Sequence, residues 1–126
     1  MTNPHKGRTG ISRVAFAMHH SLNGLRVAWR EESAFRQECA LAIFMLPGAF
    51  WLGQSWLEVT LLAGSVVMVL VVELLNSAIE ATVDRVSFDS HDLSKRAKDM
   101  ASAAVMLSLL ACTGIWVMAA VHRFTP

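Results

Sequence analysis

The stretch LLAGSVVMVLVVELLNSAIEATVDR, Leu61–Arg85, opens as apolar as a lipid-buried helix yet closes with Glu73, Asn76, Ser77, Glu80 and Asp84. At 100° per residue, those five polar side chains fall within about 60° of one direction on a helix. They form one stripe. A charged residue at the centre of a bilayer helix costs roughly 2.5 to 3.5 kcal/mol on insertion scales, so the stripe must face protein, water, metal or substrate. Glu73 lies roughly 16 Å along the helix from Asp84 at the cytosolic boundary. The stripe therefore climbs from inside the membrane to its cytosolic surface.

The rest of the chain supports a membrane setting. Of its 126 residues, 54% are apolar and 17% charged, with a mean hydropathy of +0.44. A single domain of this size leaves much of its surface accessible, so the apolar excess has to meet lipid or another subunit. The longest uncharged run, Met100 to Val121, would reach ~33 Å as a helix, enough for a hydrocarbon core of roughly 30 Å. Cys39 to Leu57 is also uncharged, with Pro47-Gly48 placed to bend it and Gln54-Ser55 marking its exit. These runs predict an all-α membrane protein in one domain, 1–126, with three transmembrane helices at about 34–53, 57–84 and 95–121.

Before the first span, Ile11, Val14, Ala15, Met18, Leu22 and Leu25 recur at steps of three and four, with Arg13, His19, His20 and Arg26 between them. That pattern predicts an N-terminal amphipathic surface helix at about 8–28, with Asn23-Gly24 as a weak break. No signal peptide is expected, because MTNPHKGRTGISR opens with charge and glycine. Lys6, Arg8, Arg13, Arg26, Arg30 and Arg36 precede span one, and Arg85, Lys95, Arg96 and Lys98 sit between spans two and three. The positive-inside rule then puts the N-terminus in the cytosol and the GQSWLE turn and the C-terminus outside. Trp29, Trp51 and Trp56 fit an interfacial aromatic belt.

Ser90, Asp92 and Ser94 are candidate N-caps for the last helix. On it, Ala97, Ala101, Ala104 and Ser108 predict a face for close helix packing. Cys39 and Cys112 lie far from any ligand-like spacing and read as packed thiols. The stripe itself leaves two readings open: a network of Glu73 and Glu80 with basic residues that holds subunits together, or a functional site. A small ion-coupled transporter is a further alternative, although the stripe is displaced toward one face.

ELLNSAIEATVDR and HDLSKRAKDMASAAV, with GLRVAWREESAFRQE upstream, closely resemble the prokaryotic diacylglycerol kinase family over nearly the whole chain. The resemblance implies a multi-pass homotrimer of the bacterial cytoplasmic (inner) membrane that transfers the γ-phosphoryl of MgATP to diacylglycerol, with no nucleic-acid partner. Consistent with an unusual kinase, the chain has no GxxxxGK[ST] loop and no HRD or DFG element. As the family implies, Glu73 is the catalytic base with Asn76 beside it, and Glu32 and Glu80 are the Mg²⁺ ligands. Arg13, His20, Glu32, Glu80, Asp89, Ser90, His91, Lys98 and Asp99 match the nucleotide site. Arg26, Ala34, Phe35, Arg36, Gln37, Glu38, Glu73, Ser102 and Trp116 match the lipid-substrate positions. A relative that phosphorylates undecaprenol would share the same catalytic residues.

Overall fold

The computed structural model describes residues 9–126, and among them all regular structure is helical. Four helices follow in order: α1 Ile11–Glu31, α2 Ser33–Leu52, α3 Trp56–Val86 and α4 Asp92–Phe124. Arg8, where the surface helix is expected to begin, lies outside the described residues, as does Lys6. α1 runs unbroken through Asn23-Gly24, so the expected interruption is absent. Gly24 costs the helix some stability but asks for no special backbone angle there.

The joint between α1 and α2 is a single extended residue, Glu32 (φ −110°, ψ 107°). Arg36, one turn into α2, reaches back and donates from one guanidinium nitrogen to the carbonyls of Trp29 (2.9 Å) and Arg30 (3.0 Å). Those carbonyls end α1 and have no partner within the helix, so a cation there satisfies both their lone pairs and the helix dipole.

The turn from α2 to α3 is held more tightly. Ser55 caps α3 by accepting from the Glu58 backbone N–H (3.2 Å), while the Glu58 carboxylate accepts from the Gln54 N–H (2.7 Å). The Ser-x-x-Glu spacing is a capping box with its return bond displaced by one residue. Gly53 is required by space, since a Cβ there would lie 2.6 Å from the Val59 side chain and 2.9 Å from the Ala49 carbonyl.

α3 is the central helix, packed along α4 and α2, while α1 leans mainly on α2. One core cluster gathers Ala42, Val66, Val69 and Cys112; a second gathers Ala49, Leu52 and Leu62. Trp116 serves both, and its indole N–H donates to the Leu62 carbonyl (3.3 Å). α2 continues through Pro47, and the Trp116 ring lies 3.7 Å from where a Gly48 side chain would begin. Both cysteines are free thiols; Cys112 is buried and accepts from the Ser65 hydroxyl (3.4 Å).

Two expectations for α4 are corrected. Its N-cap is His91, whose Nδ1 accepts from the Leu93 N–H (3.1 Å), rather than Ser90, Asp92 or Ser94. Its packing face carries Ala97, Ala101, Val105, Ser108 and Cys112, while Ala104 is exposed. The small-residue spacing drifts off the contact line there, because the face that α4 turns to α3 repeats every three or four residues through Val105.

α3 and α4 are the two helices long and apolar enough to cross a membrane, and only 22% and 6% of their apolar windows are buried inside the chain. α2 does not join them by that measure. Arg36, Gln37 and Glu38 occupy its first turns, and it ends at Leu52, leaving an uncharged helical stretch of roughly 21 Å. The sequence run to Leu57 counted residues that the structure gives to the turn.

Candidate active site

The stripe on α3 survives folding as a stripe and acquires neighbours. Glu73 is only 5% exposed although it is a carboxylate. One turn on, the Asn76 side-chain oxygen and the Ser77 hydroxyl are buried with no hydrogen-bond partner among the described residues, and the same holds for Glu38 Oε2. Buried polar atoms are nearly always satisfied, so three orphans in one region identify a place built for contact with another group. Glu32 and Glu80 lie close enough for their charges to act on Glu73, and Glu73 acts in turn on Glu38.

Glu32, Glu38, Glu73 and Glu80 thus form a carboxylate cluster where the start of α2 meets the second half of α3. Among the described residues the ion pairs are Lys95–Asp99, Lys98–Asp84 and His122–Glu58, and none neutralises that cluster. Among the described residues no basic side chain forms an ion pair with Glu73 or Glu80. No group of three or more His, Cys, Asp or Glu side chains converges as a metal cage among the described residues.

Two clefts flank the cluster. One, of about 620 Å³, opens between α1 and α3 and is lined by Ser21, Gly24, Glu32, Ser77 and Ala81 among others. The other, of about 260 Å³, lies at the α3–α4 connection and is lined by Asp84, Asp89, Ser90, His91, Lys98 and Asp99 with Lys95. The connection is shaped locally: the Ser87 hydroxyl accepts from the Asp89 N–H (2.9 Å), and the His91 cap starts α4 immediately after. Five of the expected nucleotide residues, Asp89, Ser90, His91, Lys98 and Asp99, therefore share one pocket.

The other expected positions divide. Arg13, His20 and Arg26 lie exposed along α1 and line neither cleft. Ala34, Gln37 and Ser102 are exposed, whereas Phe35 is buried at 4%. Arg36 is engaged with the end of α1, and Trp116 is a core side chain. Glu38 faces a cavity of about 170 Å³ bounded by apolar residues of α2, α3 and α4, including Met45, Val69 and Leu109. Sequence reasoning placed Glu38 near the headgroups; its approach to Glu73 was not visible, because it depends on how α2 and α3 are rotated. Asp84 and Ser77, recognised only as stripe members, also line the clefts, and the five-residue stripe was the signal for both.

Among the described residues the fold is all-helical, with two helices long and apolar enough to cross a membrane, and its site sets a carboxylate cluster against the central helix whose C-terminal end lines a charged loop pocket. The family model for prokaryotic diacylglycerol kinase matches residues 19–120. Diacylglycerol kinase of Pseudomonas aeruginosa is 49% identical over 114 residues, 90% of this chain and 93% of that one. Those of Escherichia coli K12 and Haemophilus influenzae are 45% and 43% identical, each over 86% of this chain and over 88% and 92% of their own. The chain belongs to the prokaryotic diacylglycerol kinase family, and it is accordingly an enzyme, a membrane lipid kinase.

Proposed function

We propose that this chain transfers the γ-phosphoryl group of ATP to the free hydroxyl of diacylglycerol, yielding phosphatidic acid and ADP. The observation that carries the reading is the placement of Glu73: buried, without an ion-pair partner among the described residues, and on the helix whose far end forms the Lys98 pocket. In the transfer, the acceptor oxygen bonds to the γ-phosphorus as the bond to the bridging oxygen of ADP breaks. The hydroxyl proton passes to Glu73, which works as a general base within the cleft. Asn76, one turn on with its oxygen unsatisfied, orients Glu73 or a phosphate. Lys98 and Asp99, beside Asp89, Ser90 and His91, take up the nucleotide, with Lys98 as a point charge on its phosphates.

Glu32 and Glu80 fit a magnesium site of a particular kind. They are two half-buried carboxylates with no ion pair among the described residues, and Mg²⁺ commonly takes one or two carboxylates and completes its shell with phosphate oxygens and water. When bound, the metal neutralises phosphate charge.

The membrane arrangement follows from length and charge. We take α2 as a third, short span: its uncharged Cys39–Leu52 stretch reaches roughly 21 Å, and Arg36, Gln37 and Glu38 at one end with the α2–α3 turn at the other complete the crossing, while α1 lies on the cytosolic surface. The N-terminus and the Ser87–His91 connection are cytosolic, and the α2–α3 turn and the C-terminus face outward across the bacterial inner membrane. Homotrimer assembly covers the apolar faces that α3 and α4 leave open.

Radiolabel transfer from ATP in mixed micelles, with diacylglycerol and undecaprenol compared side by side, tests the reading. Mg²⁺-dependent labelling of diacylglycerol is expected. Preferential labelling of undecaprenol reassigns the acceptor, and the absence of labelled lipid in either arm removes the kinase.

A further inference from the structure

One ion pair among the described residues joins α3 to α4 at the polar end: the Lys98 ammonium donates to Asp84 Oδ1 at 2.7 Å, with the two side chains 42% and 40% exposed. The Lys95–Asp99 pair nearby lies within one helix and is far more open, at 77% and 63%. The cross-helix pair lines the same pocket as the Ser87–His91 connection, and the charge of Glu80, one turn up α3, also acts on Lys98. An unrestrained lysine carries a large rotamer entropy and would sample many positions. Here the bond to Asp84 restrains its head, and Lys98 lines the pocket.

We propose that Asp84 is a positioning residue for the phosphoryl donor, holding the Lys98 ammonium between the loop pocket and the carboxylate stripe so that the triphosphate docks there. This rests on the reading of the chain as an ATP-dependent kinase. A free Asp84 carboxylate would repel phosphate; the ammonium bound to it covers that charge. An ammonium has three N–H donors, and the bond to Asp84 uses one, leaving two for phosphate oxygens. The triphosphate has to extend from a pocket lined by Asp89, Ser90 and His91 toward Glu73, and Lys98 lines that same pocket while sensing Glu80.

The test is steady-state kinetics of the full chain in mixed micelles. Asp84→Asn should raise KM for MgATP about tenfold, as expected for a misplaced charge-assisted contact, and leave KM for diacylglycerol within about twofold. Asp84→Glu should recover most of the loss. In a Lys98→Met background, Asp84→Asn should add nothing further to KM for MgATP. The exchanged pair, Asp84→Lys with Lys98→Asp, keeps an ion pair between α3 and α4 and guards against simple loss of fold. A near-normal KM for MgATP in that exchanged variant, or an unchanged one in Asp84→Asn, overturns the assignment. Wild-type enzyme with no MgATP-dependent transfer overturns the kinase reading itself, a distinct result.

Discussion

At the residue scale, Glu73 is the side chain whose surroundings say most. An exposure of only 5% sets it apart from the partly exposed Asn76, Ser77, Glu80 and Asp84 of the same stripe. As the base, it should tolerate no amide: Glu73→Gln is expected to lower kcat by at least ~100-fold while MgATP still binds, measured by turnover and nucleotide affinity in parallel. Near-normal turnover of that variant would remove the assignment. Glu32→Gln and Glu80→Gln should instead shift the Mg²⁺ titration of activity to higher concentration, because each removes one oxygen ligand from the pair. The stripe was legible in the sequence from spacing and intramembrane cost. The approach of Glu38 to Glu73 was not, since nothing in either segment encodes the other's azimuth.

At the element scale, the helices owe their ends to short devices. The Ser55–Glu58 capping box and the close packing at Gly53 fix the α2–α3 turn within three residues. Gly53→Ala should destabilise the protein by about 1–3 kcal/mol, because backbone as well as the Val59 side chain occupies the space a methyl needs. Thermal unfolding in detergent micelles would register it, with Gly64→Ala, which meets nothing within 4 Å and lies inside α3, as the control that should not destabilise. Ser55→Ala should cost about 1 kcal/mol through the lost cap. The helices themselves were readable from hydropathy and periodicity to within a few residues. Their caps were less so: His91 took the place expected of Ser90, Asp92 or Ser94 because its ring nitrogen could reach the Leu93 N–H.

At the scale of the whole molecule, the two ends differ in kind. One end joins Trp51 to Phe124, ring centroids 6.0 Å apart, and Glu58 to His122 at 3.8 Å. The other carries the elbow at Glu32 and the charged connection to α4. With Trp51 and Trp56 exposed at 64% and 76%, the first end suits a membrane interface. Reporter fusions should accordingly place a tag after Pro126 on the outer side of the inner membrane and one inserted at 87–91 in the cytosol; the reverse pattern would sink the proposed orientation. The 6% burial of the α4 window means that most of its apolar surface needs lipid or a second chain. Dilution below the detergent's micelle concentration is expected to precipitate the protein.

The sequence by itself determined the helical class, the polar stripe on α3, the charged connection before α4 and the family, because each depends on local composition, period or motif. Tertiary structure alone decided that Trp116 fills the core, that Arg36 ends α1, that four carboxylates gather with no ion pair to any of them among the described residues, and that Asp84 holds Lys98. Those outcomes depend on helix rotation and crossing, set by which small residues let backbones approach. Ala49 at 0% exposure and Ala101 at 5% mark where that approach occurs.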